Sequence, residues 1–233
     1  MNIIITGASK GIGRAVAEKF AANGYTLFLC ARKEAPLAAL AKELETQYPG
    51  STVHYIPCDV SIQEEVLRFA AWVLSKTSAP GILVNNAGIF TPGNVYDEAD
   101  GLLERMMETN LYSAYYLSRA LLPAMMAQKS GHIFNICSIA SLKAYPNGGS
   151  YSITKYALAG LTANLRHEMK PHGIKLTAVF PGAAYTGSWE NSGISRDRFM
   201  EAADIAEMIY SASRLSPQAC VEEIVMRPQL GDI

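Results

Sequence analysis

The sequence predicts a doubly wound α/β fold, in which a parallel sheet of about seven strands is covered by helices on both faces. Short apolar runs rich in β-branched residues alternate strictly with helical patterns, the order that a parallel sheet with crossover helices requires. No proline-rich or glycine–serine linker divides the 233 residues, so we expect one domain over residues 1–233. Hydrophobic residues make up 49% of the chain and charged residues 18%, a composition that excludes intrinsic disorder.

The strands are predicted from apolar runs that are bounded mostly by glycine, proline or asparagine. They lie at residues 2–6, 25–31, 52–57, 81–85, 131–138, 174–180 and 221–227. Helical patterns occupy the intervals, at residues 11–23, 34–48, 61–76, 100–128, 150–170 and 203–214. Pro36 suits the first turn of the second helix, and Asp59 or Ser61 is expected to cap the third.

Charge, hydropathy and cysteine content narrow the class of protein. Twenty basic and 21 acidic residues give a net charge of −1, so we expect neither a nucleic-acid partner nor a membrane partner. No apolar run reaches the length of a membrane span, and the apolar start is too short for a signal peptide. Four cysteines without a CxxC pair favour a cytoplasmic protein. The four histidines form no metal-binding motif, so no metal is expected.

The turn after the first predicted strand has the composition of a phosphate-binding loop. The segment TGASKGIG carries Gly7, Gly11 and Gly13 between an apolar strand and an amphipathic helix. Glycines at such a turn let the backbone approach a pyrophosphate, and the helix N-terminus offers N–H donors. Three glycines at this spacing are a weak signal alone, and a tight turn without a ligand is the alternative. Their position between strand and helix favours a dinucleotide.

The end of the second strand indicates which dinucleotide is bound. Folds that bind NAD usually place an acidic residue there to hold the ribose 2′-hydroxyl. This strand ends at Ala31 and is followed by Arg32, and the next acid is Glu34. A guanidinium can bind a 2′-phosphate through two hydrogen bonds, and Lys10 can add a second positive charge. NADP(H) is therefore favoured over NAD, with two ordinary surface cations as the alternative.

Two further patterns carry polar side chains. The sequence NNAG at Asn85–Gly88 follows the fourth strand, at the edge where open α/β sheets bind ligands. Tyr151 and Lys155 are four residues apart in a helical stretch, so both project from one face. A nearby ammonium stabilises a phenolate, which predicts a lowered pKa for Tyr151 and a role in acid–base catalysis. Such a pair on a solvated helix face is the alternative.

Together these patterns resemble the short-chain dehydrogenase/reductase family, in its compact single-domain branch with a Rossmann-type fold. The resemblance covers essentially the whole chain, and its motifs occur in the family's order and spacing. They are TGASKGIG, Asp59 after the third strand, NNAG, Asn110 in ETNLYS, Ser138 in NICSIAS, YSITK, and Pro181–Gly182 followed by Thr186.

The resemblance implies four catalytic residues. Tyr151 would exchange a proton with the substrate oxygen, and Ser138 would hydrogen-bond that oxygen. Lys155 would lower the pKa of Tyr151 and hold the nicotinamide ribose, while Asn110 would anchor a water that relays protons. The alternative serine, Ser141, lies three residues too close to Tyr151 in sequence. The implied cofactor contacts are Gly7, Ser9, Lys10, Gly11, Ile12, Gly13, Arg32, Asp59, Val60, Asn86, Ala87, Gly88, Tyr151, Lys155, Pro181, Gly182 and Thr186.

The substrate loop is expected at about residues 187–202, because little chain remains after Pro181. In this loop, Trp189, Phe199 and Met200 either line an apolar pocket, with Tyr145 and Tyr185 nearby, or pack on the surface. By resemblance, the helices at 100–128 and 150–170 form the subunit contact of a homodimer or homotetramer.

The C-terminal sequence VEEIVMRPQLGDI is similar to that of the carbonyl, 3-hydroxy acid and sepiapterin-type reductases of the family. The function expected is therefore an NADPH-dependent reduction of a small or medium carbonyl substrate, or oxidation of the matching alcohol. A 3-ketoacyl-(acyl-carrier-protein) reductase is the first alternative. A non-catalytic NADP(H)-binding sensor is the alternative from another class, and a dehydratase or epimerase is a third.

Overall fold

A computed structural model describes residues 1–187 and 193–233 and shows seven parallel strands in one sheet. The strands are β1 (Asn2–Thr6), β2 (Thr26–Ala31), β3 (Thr52–Pro57), β4 (Ile82–Asn85), β5 (Gly131–Ile136), β6 (Ile174–Pro181) and β7 (Glu223–Met226). Their order across the sheet is β3–β2–β1–β4–β5–β6–β7. The chain winds from β1 out to β3 and then returns to the other side of β1 at β4. The point where the strand order reverses, at which open α/β sheets bind ligands, therefore lies between β1 and β4.

Helices connect these strands. They are α1 (Gly11–Ala21), α2 (Glu34–Gln47), α3 (Gln63–Lys76), α4 (Leu102–Met107), α5 (Ser113–Gln128), α6 (Gly149–Met169) and α7 (Ala202–Ser213). The doubly wound α/β fold is confirmed, and the predicted ends of its elements lie within two residues of the observed ones. None of the helices in the described ranges has the length and apolar character needed to cross a membrane.

The sheet is apolar on both faces because successive strand residues point in opposite directions. On one face, Ile3 and Ile5 pack in a cluster with residues of α1, α2 and α7. On the other, Ile4 packs with Phe69 of α3 and with residues of α5 and α6. All three isoleucines are completely buried, and each such side chain contributes about 1.5–3 kcal/mol to stability. This two-sided core supports the carboxyl ends of the strands, where the polar residues lie.

Two local predictions were wrong. Neither Asp59 nor Ser61 caps α3, whose N-cap residue is Ile62 with no side-chain hydrogen bond. The Asp59 carboxylate instead accepts hydrogen bonds from the backbone N–H (3.0 Å) and hydroxyl (2.7 Å) of Ser61, so it shapes the turn before the helix. The helix expected over residues 100–128 is also interrupted, because a π-helical turn at Glu108–Tyr112 separates α4 from α5.

Candidate active site

The glycine loop between β1 and α1 has a backbone that other residues would strain. Gly7 and Gly11 have φ angles of +64° and +57°, in the left-handed region that favours glycine. Gly13 needs to be glycine for another reason, since a Cβ there would overlap the carbonyl oxygen of Gly7. Of the predicted contacts, Gly7, Ser9, Lys10, Gly11, Ile12 and Gly13 all lie on this loop or in the first turn of α1.

The N-terminus of α1 is open to an anion. The N-cap residue, Lys10, makes no side-chain capping bond, so the first N–H groups of the helix lack a side-chain acceptor. Thr186 lies directly against this loop, with its Cγ2 atom 3.1 Å from the position of a Cβ on Gly11. It follows Pro181 and Gly182, which stand at the end of β6. A diphosphate fits these N–H donors and the glycine backbone beside them.

Arg32 lies just beyond the end of β2, beside the glycine loop. The loop joins β2 there through the N–H of Ala8, which donates to the carbonyl of Cys30 (3.1 Å). The Arg32 side chain is exposed and makes no hydrogen bond or ion pair with the residues that the structure describes. Just after the neighbouring strand β3, Asp59 is half-buried and Val60 belongs to the core. Arg32 is thus an exposed cation close to the glycine loop.

The turn after β4 is tied to the glycine loop by one asparagine and one threonine. The N–H groups of Asn86 and Ala87 both donate to the Thr6 hydroxyl (3.0 Å each). The Asn86 amide donates to the carbonyls of Thr6 (2.9 Å) and Gly7 (3.1 Å). These bonds hold the two loops at the point where the strand order reverses.

Gly88 in this turn borders the catalytic side chains. A Cβ at Gly88 would lie 3.3 Å from Oδ1 of Asn110 and 3.6 Å from Nζ of Lys155. Since Gly88 has no side chain, the turn can pack closely against these two polar groups, both of which are buried. The structure therefore brings a predicted cofactor-binding residue beside two predicted catalytic residues.

Asn110 lies in the π-helical turn and is fully engaged by the protein. Its Oδ1 accepts from the N–H of Ile89 (2.7 Å), and its Nδ2 donates to the carbonyl of Ile89 (3.0 Å) and to the hydroxyl of Thr154 (3.0 Å). Both amide protons are therefore used, and the residue is only 1% exposed. The side chain anchors the turn after β4 to α6, and π-turns of this kind are frequent at functional sites.

Ser138 and Tyr151 face each other across the site. Ser138 follows β5, and its hydroxyl accepts a hydrogen bond from the N–H of Ala140 (3.1 Å). Burial raises the pKa of Tyr151 above its usual value, and hydrogen bonding with Ser138 acts in the opposite direction. The alternative serine, Ser141, is buried and donates to the carbonyl of Lys155 (2.8 Å), which gives it a structural role.

The predicted lowering of the Tyr151 pKa was wrong for this structure, because burial dominates. Lys155 lies on the same helix face, with its Nζ 5.7 Å from the centre of the Tyr151 ring. That nitrogen donates to the carbonyl of Ile136 (2.7 Å), and the residue is only 4% exposed. Burial lowers the pKa of Lys155 itself to about 8, so its ammonium is less favoured than in water.

Three residues near Tyr151 were missed by the sequence interpretation. The Phe90 ring packs edge-on against the Tyr151 ring, with centroids 4.9 Å apart. The hydroxyl of Thr154 donates to the carbonyl of Tyr151 (2.8 Å) and accepts from Asn110. Glu98 binds Ser150, the residue before Tyr151. Thr154 could have been found from its place in the YSITK motif, but Phe90 and Glu98 carry no sequence signal.

The predicted substrate loop is anchored at its C-terminal end. Phe199 and Met200 are buried, and Met200 belongs to the core cluster, so these two are packing residues rather than pocket walls. The N–H of Tyr185 donates to the carbonyl of Met200 (2.8 Å), which holds the end of the loop against the segment that precedes it. Trp189 lies outside the described residues. Tyr145 borders the catalytic residues, and burial together with Tyr151 raises its pKa to about 12.

Metal-binding side chains do not cluster in the part of the chain that the structure describes. Within residues 1–187 and 193–233, no three His, Cys, Asp or Glu side chains are close enough together to hold an ion. The polar groups around Tyr151 are instead the hydroxyls of Ser138 and Thr154, the amide of Asn110 and the amine of Lys155. This set suits hydrogen bonding and proton transfer to an oxygen atom.

Comparisons with known proteins agree with this geometry. A family model for short chain dehydrogenases matches residues 1–196. A sepiapterin reductase from Chlorobaculum tepidum is 34% identical, with 99% of this chain and 97% of that protein aligned. An alcohol dehydrogenase from Thermococcus sibiricus, solved with 5-hydroxy-NADP, superposes with a TM-score of 0.90 at 29% identity, covering 98% and 96% of the two chains. L-sorbose reductase from Gluconobacter frateurii, solved with NADPH and L-sorbose, gives 0.89 at 26% identity, covering 97% and 95%.

Proposed function

Because this chain belongs to the short-chain dehydrogenase family, we propose that it is an NADP(H)-dependent reductase of small or medium carbonyl compounds. The reverse reaction is the oxidation of the corresponding secondary alcohols. The observation that carries the proposal is that Ser138, Tyr151 and Lys155 lie together beside the turn after β4, which is hydrogen-bonded to the glycine loop. The sepiapterin reductase relative supports the carbonyl branch over the alternative of a 3-ketoacyl-(acyl-carrier-protein) reductase.

The residues present fit NADP(H). The glycine loop leaves room for a diphosphate, and the uncapped N-terminus of α1 offers N–H donors. Arg32, after β2, and Lys10, in the glycine loop, are exposed cations that would bind a ribose 2′-phosphate. Structural neighbours solved with NADPH or an NADP derivative give the same preference.

When bound, the nicotinamide supplies the hydride, and this chain supplies the proton and the orientation. The Ser138 hydroxyl would hydrogen-bond the carbonyl oxygen of the substrate. The Tyr151 hydroxyl would donate its proton to the same oxygen as the alcohol forms. Burial raises its pKa, so the Tyr151 phenol keeps its proton at neutral pH, as a proton donor to the substrate oxygen must. Lys155, buried next to the phenolate that results, would stabilise that negative charge.

The test compares the wild type with Tyr151→Phe and, as a matched control, with Tyr48→Phe at the C-terminal end of α2. NADPH oxidation is followed with a panel of aldehydes and ketones, and NADPH binding is measured by fluorescence. Tyr151→Phe should lose at least about 100-fold in kcat, the usual worth of general acid catalysis, and keep NADPH affinity. The control should retain turnover. Substantial activity in Tyr151→Phe would refute the proton donor, and NADPH binding without turnover of any carbonyl would favour the sensor alternative.

Subunit assembly and location are further parts of the proposal. Aromatic and aliphatic side chains lie exposed along or beside α5 and α6, among them Tyr112, Tyr115, Ile153 and Tyr156. Gly160, also on α6, has open space where a Cβ would be, which permits close approach of a second helix. A homodimer or homotetramer through this face, in the cytoplasm, is the arrangement that we propose. Light scattering on the purified protein measures its mass directly.

A further inference from the structure

Glu98, in the loop between β4 and α4, binds the first turn of the helix that carries Tyr151. Its Oε1 accepts a hydrogen bond from the N–H of Ser150 (2.9 Å), and its Oε2 accepts one from the Ser150 hydroxyl. Ser150 is only 2% exposed and directly precedes Tyr151. Helix α6 has no cap from its own N-cap residue, Gly148, and no acid in its first turn. The cap therefore comes from a residue 52 positions earlier in the chain.

Two glycines make room for the Glu98 side chain. Gly149 has a φ of +26°, and a Cβ there would overlap Oε1 of Glu98. A Cβ at Gly93 would lie only 2.7 Å from Cγ of Glu98. The N–H of Gly93 also donates to the carbonyl of Asn147, just before α6 (3.1 Å). The loop and the start of the helix are thus shaped to each other around this carboxylate.

The same loop reaches Tyr151 from a second direction. At its beginning, the backbone of Ile89 is held by Asn110, through bonds of 2.7 Å and 3.0 Å. The next residue, Phe90, packs edge-on against the Tyr151 ring. The loop is therefore fixed before Phe90 by Asn110 and after it by Glu98, and Phe90, between these two attachments, makes the contact with the phenol ring.

We propose that Glu98 is a positioning residue for Tyr151. Its carboxylate holds the first turn of α6 and the loop bearing Phe90 together, and so sets where the phenol stands relative to Ser138. A carboxylate at a helix N-terminus is favoured by the helix dipole and by the unpaired N–H groups there. Positioning matters because a misplacement of about 1 Å can cost about 100-fold in rate. This inference rests on the proposed function, since Glu98 is assigned to the same site.

The test uses Glu98→Ala, Glu98→Gln and, as the matched control, Asp100→Ala. Asp100 is an exposed acid on the same loop and makes no hydrogen bond or ion pair with the described residues. Glu98→Ala should lower kcat about 10–100-fold while the Kd for NADPH changes less than about twofold. Glu98→Gln should recover most of the rate, because its Oε1 still accepts from the Ser150 N–H. Asp100→Ala should match the wild type.

Each variant is assayed well below its own melting temperature, so that kcat refers to folded protein. A wild-type kcat in folded Glu98→Ala overturns the proposal. It is also overturned if Glu98→Gln loses as much rate as Glu98→Ala, because glutamine keeps the oxygen that accepts from the Ser150 N–H and should restore the position of the helix. If Glu98→Ala does not fold, Ser150→Ala removes only the hydroxyl arm and should lose about 2–5-fold in kcat. An unchanged kcat there overturns the proposal.

The result separates this inference from the proposed function. Activity in Tyr151→Phe would refute the proton donor, whatever Glu98 does. If Tyr151→Phe loses activity but Glu98→Ala keeps the wild-type activity, only the positioning role is refuted. If no carbonyl compound is reduced at all, the phenol of Tyr151 is titrated by absorbance, with Tyr151→Phe as the reference. An unchanged midpoint in Glu98→Ala would then overturn the positioning role.

Discussion

Replacing Lys155 with methionine should change the stability of the protein in a pH-dependent way. Lys155 is buried, its ammonium has one carbonyl acceptor at 2.7 Å, and burial lowers its pKa to about 8. In the unfolded chain the same side chain titrates near 10.5. Between these values the unfolded state binds more protons than the native state. The free energy of unfolding therefore falls as the pH is lowered from 10.5 towards 8, because the unfolded side chain takes up a proton that the buried side chain does not.

The magnitude follows from the size of the shift. A difference of about 2.5 pKa units corresponds to about 3 kcal/mol of unfolding free energy at pH 7, relative to pH above 10.5. Raising the pH from 7 to 9 should restore about 1 kcal/mol of this unfolding free energy. Methionine has a similar length and no charge, so Lys155→Met removes the whole pH-dependent part. The lost hydrogen bond to Ile136 adds an offset that does not depend on pH.

The assay is urea unfolding of wild type, Lys155→Met and the exposed control Lys42→Met at pH 7, 8, 9 and 10. Relative to Lys155→Met, the wild type should gain about 2–3 kcal/mol of stability between pH 7 and pH 10. Lys42→Met should run parallel to the wild type across the series. A difference between wild type and Lys155→Met that stays constant over this range would refute a lowered Lys155 pKa.

Two further substitutions test other parts of the structure. Arg32→Ala should raise the Kd for NADPH about 10–100-fold and leave that for NADH nearly unchanged, because only NADPH carries the 2′-phosphate; equal losses for both would contradict this. His132 is buried against Thr177, and burial lowers its pKa from 6.5 to about 3, so stability should be lost as the pH falls below 6.5. When the pH is lowered from 7 to 5, urea unfolding should show that His132→Gln loses about 2 kcal/mol less unfolding free energy than the wild type. Equal losses in the two proteins would contradict a lowered His132 pKa.

The parts of the molecule that depend on local sequence were predictable. Each strand is a short apolar run, so its place along the chain could be read from periodicity alone. The glycine loop and the pair Tyr151 and Lys155 are also local patterns, in which the required backbone or helix face is set within a few residues. For these reasons the fold agrees with the prediction, and Tyr151 and Lys155 share one face of α6 as their spacing indicated.

The parts that depend on tertiary packing were not predictable. The π-helical turn exists where Asn110 bonds the backbone of Ile89, which is 21 residues away. The raised pKa of Tyr151 reflects burial, which the chain reveals only once α6 is packed. Met200 looked available for a pocket, yet it joins the core beside α1 and α7. Periodicity within one segment carries no information about such distant partners.

The junction between β1 and β4 has a consequence for the stability of the protein. The register there covers three residue pairs, Ile3–Ile5 with Ile82–Val84, whereas β1 and β2 share five. This short junction joins the first three strands to the last four. The proposed cofactor would lie across it, and a ligand at 100 times its Kd stabilises a native state by about 2.7 kcal/mol. Bound NADP(H) would therefore brace the junction with the shortest register next to β1, and the protein should resist unfolding and proteolysis better with the cofactor than without it.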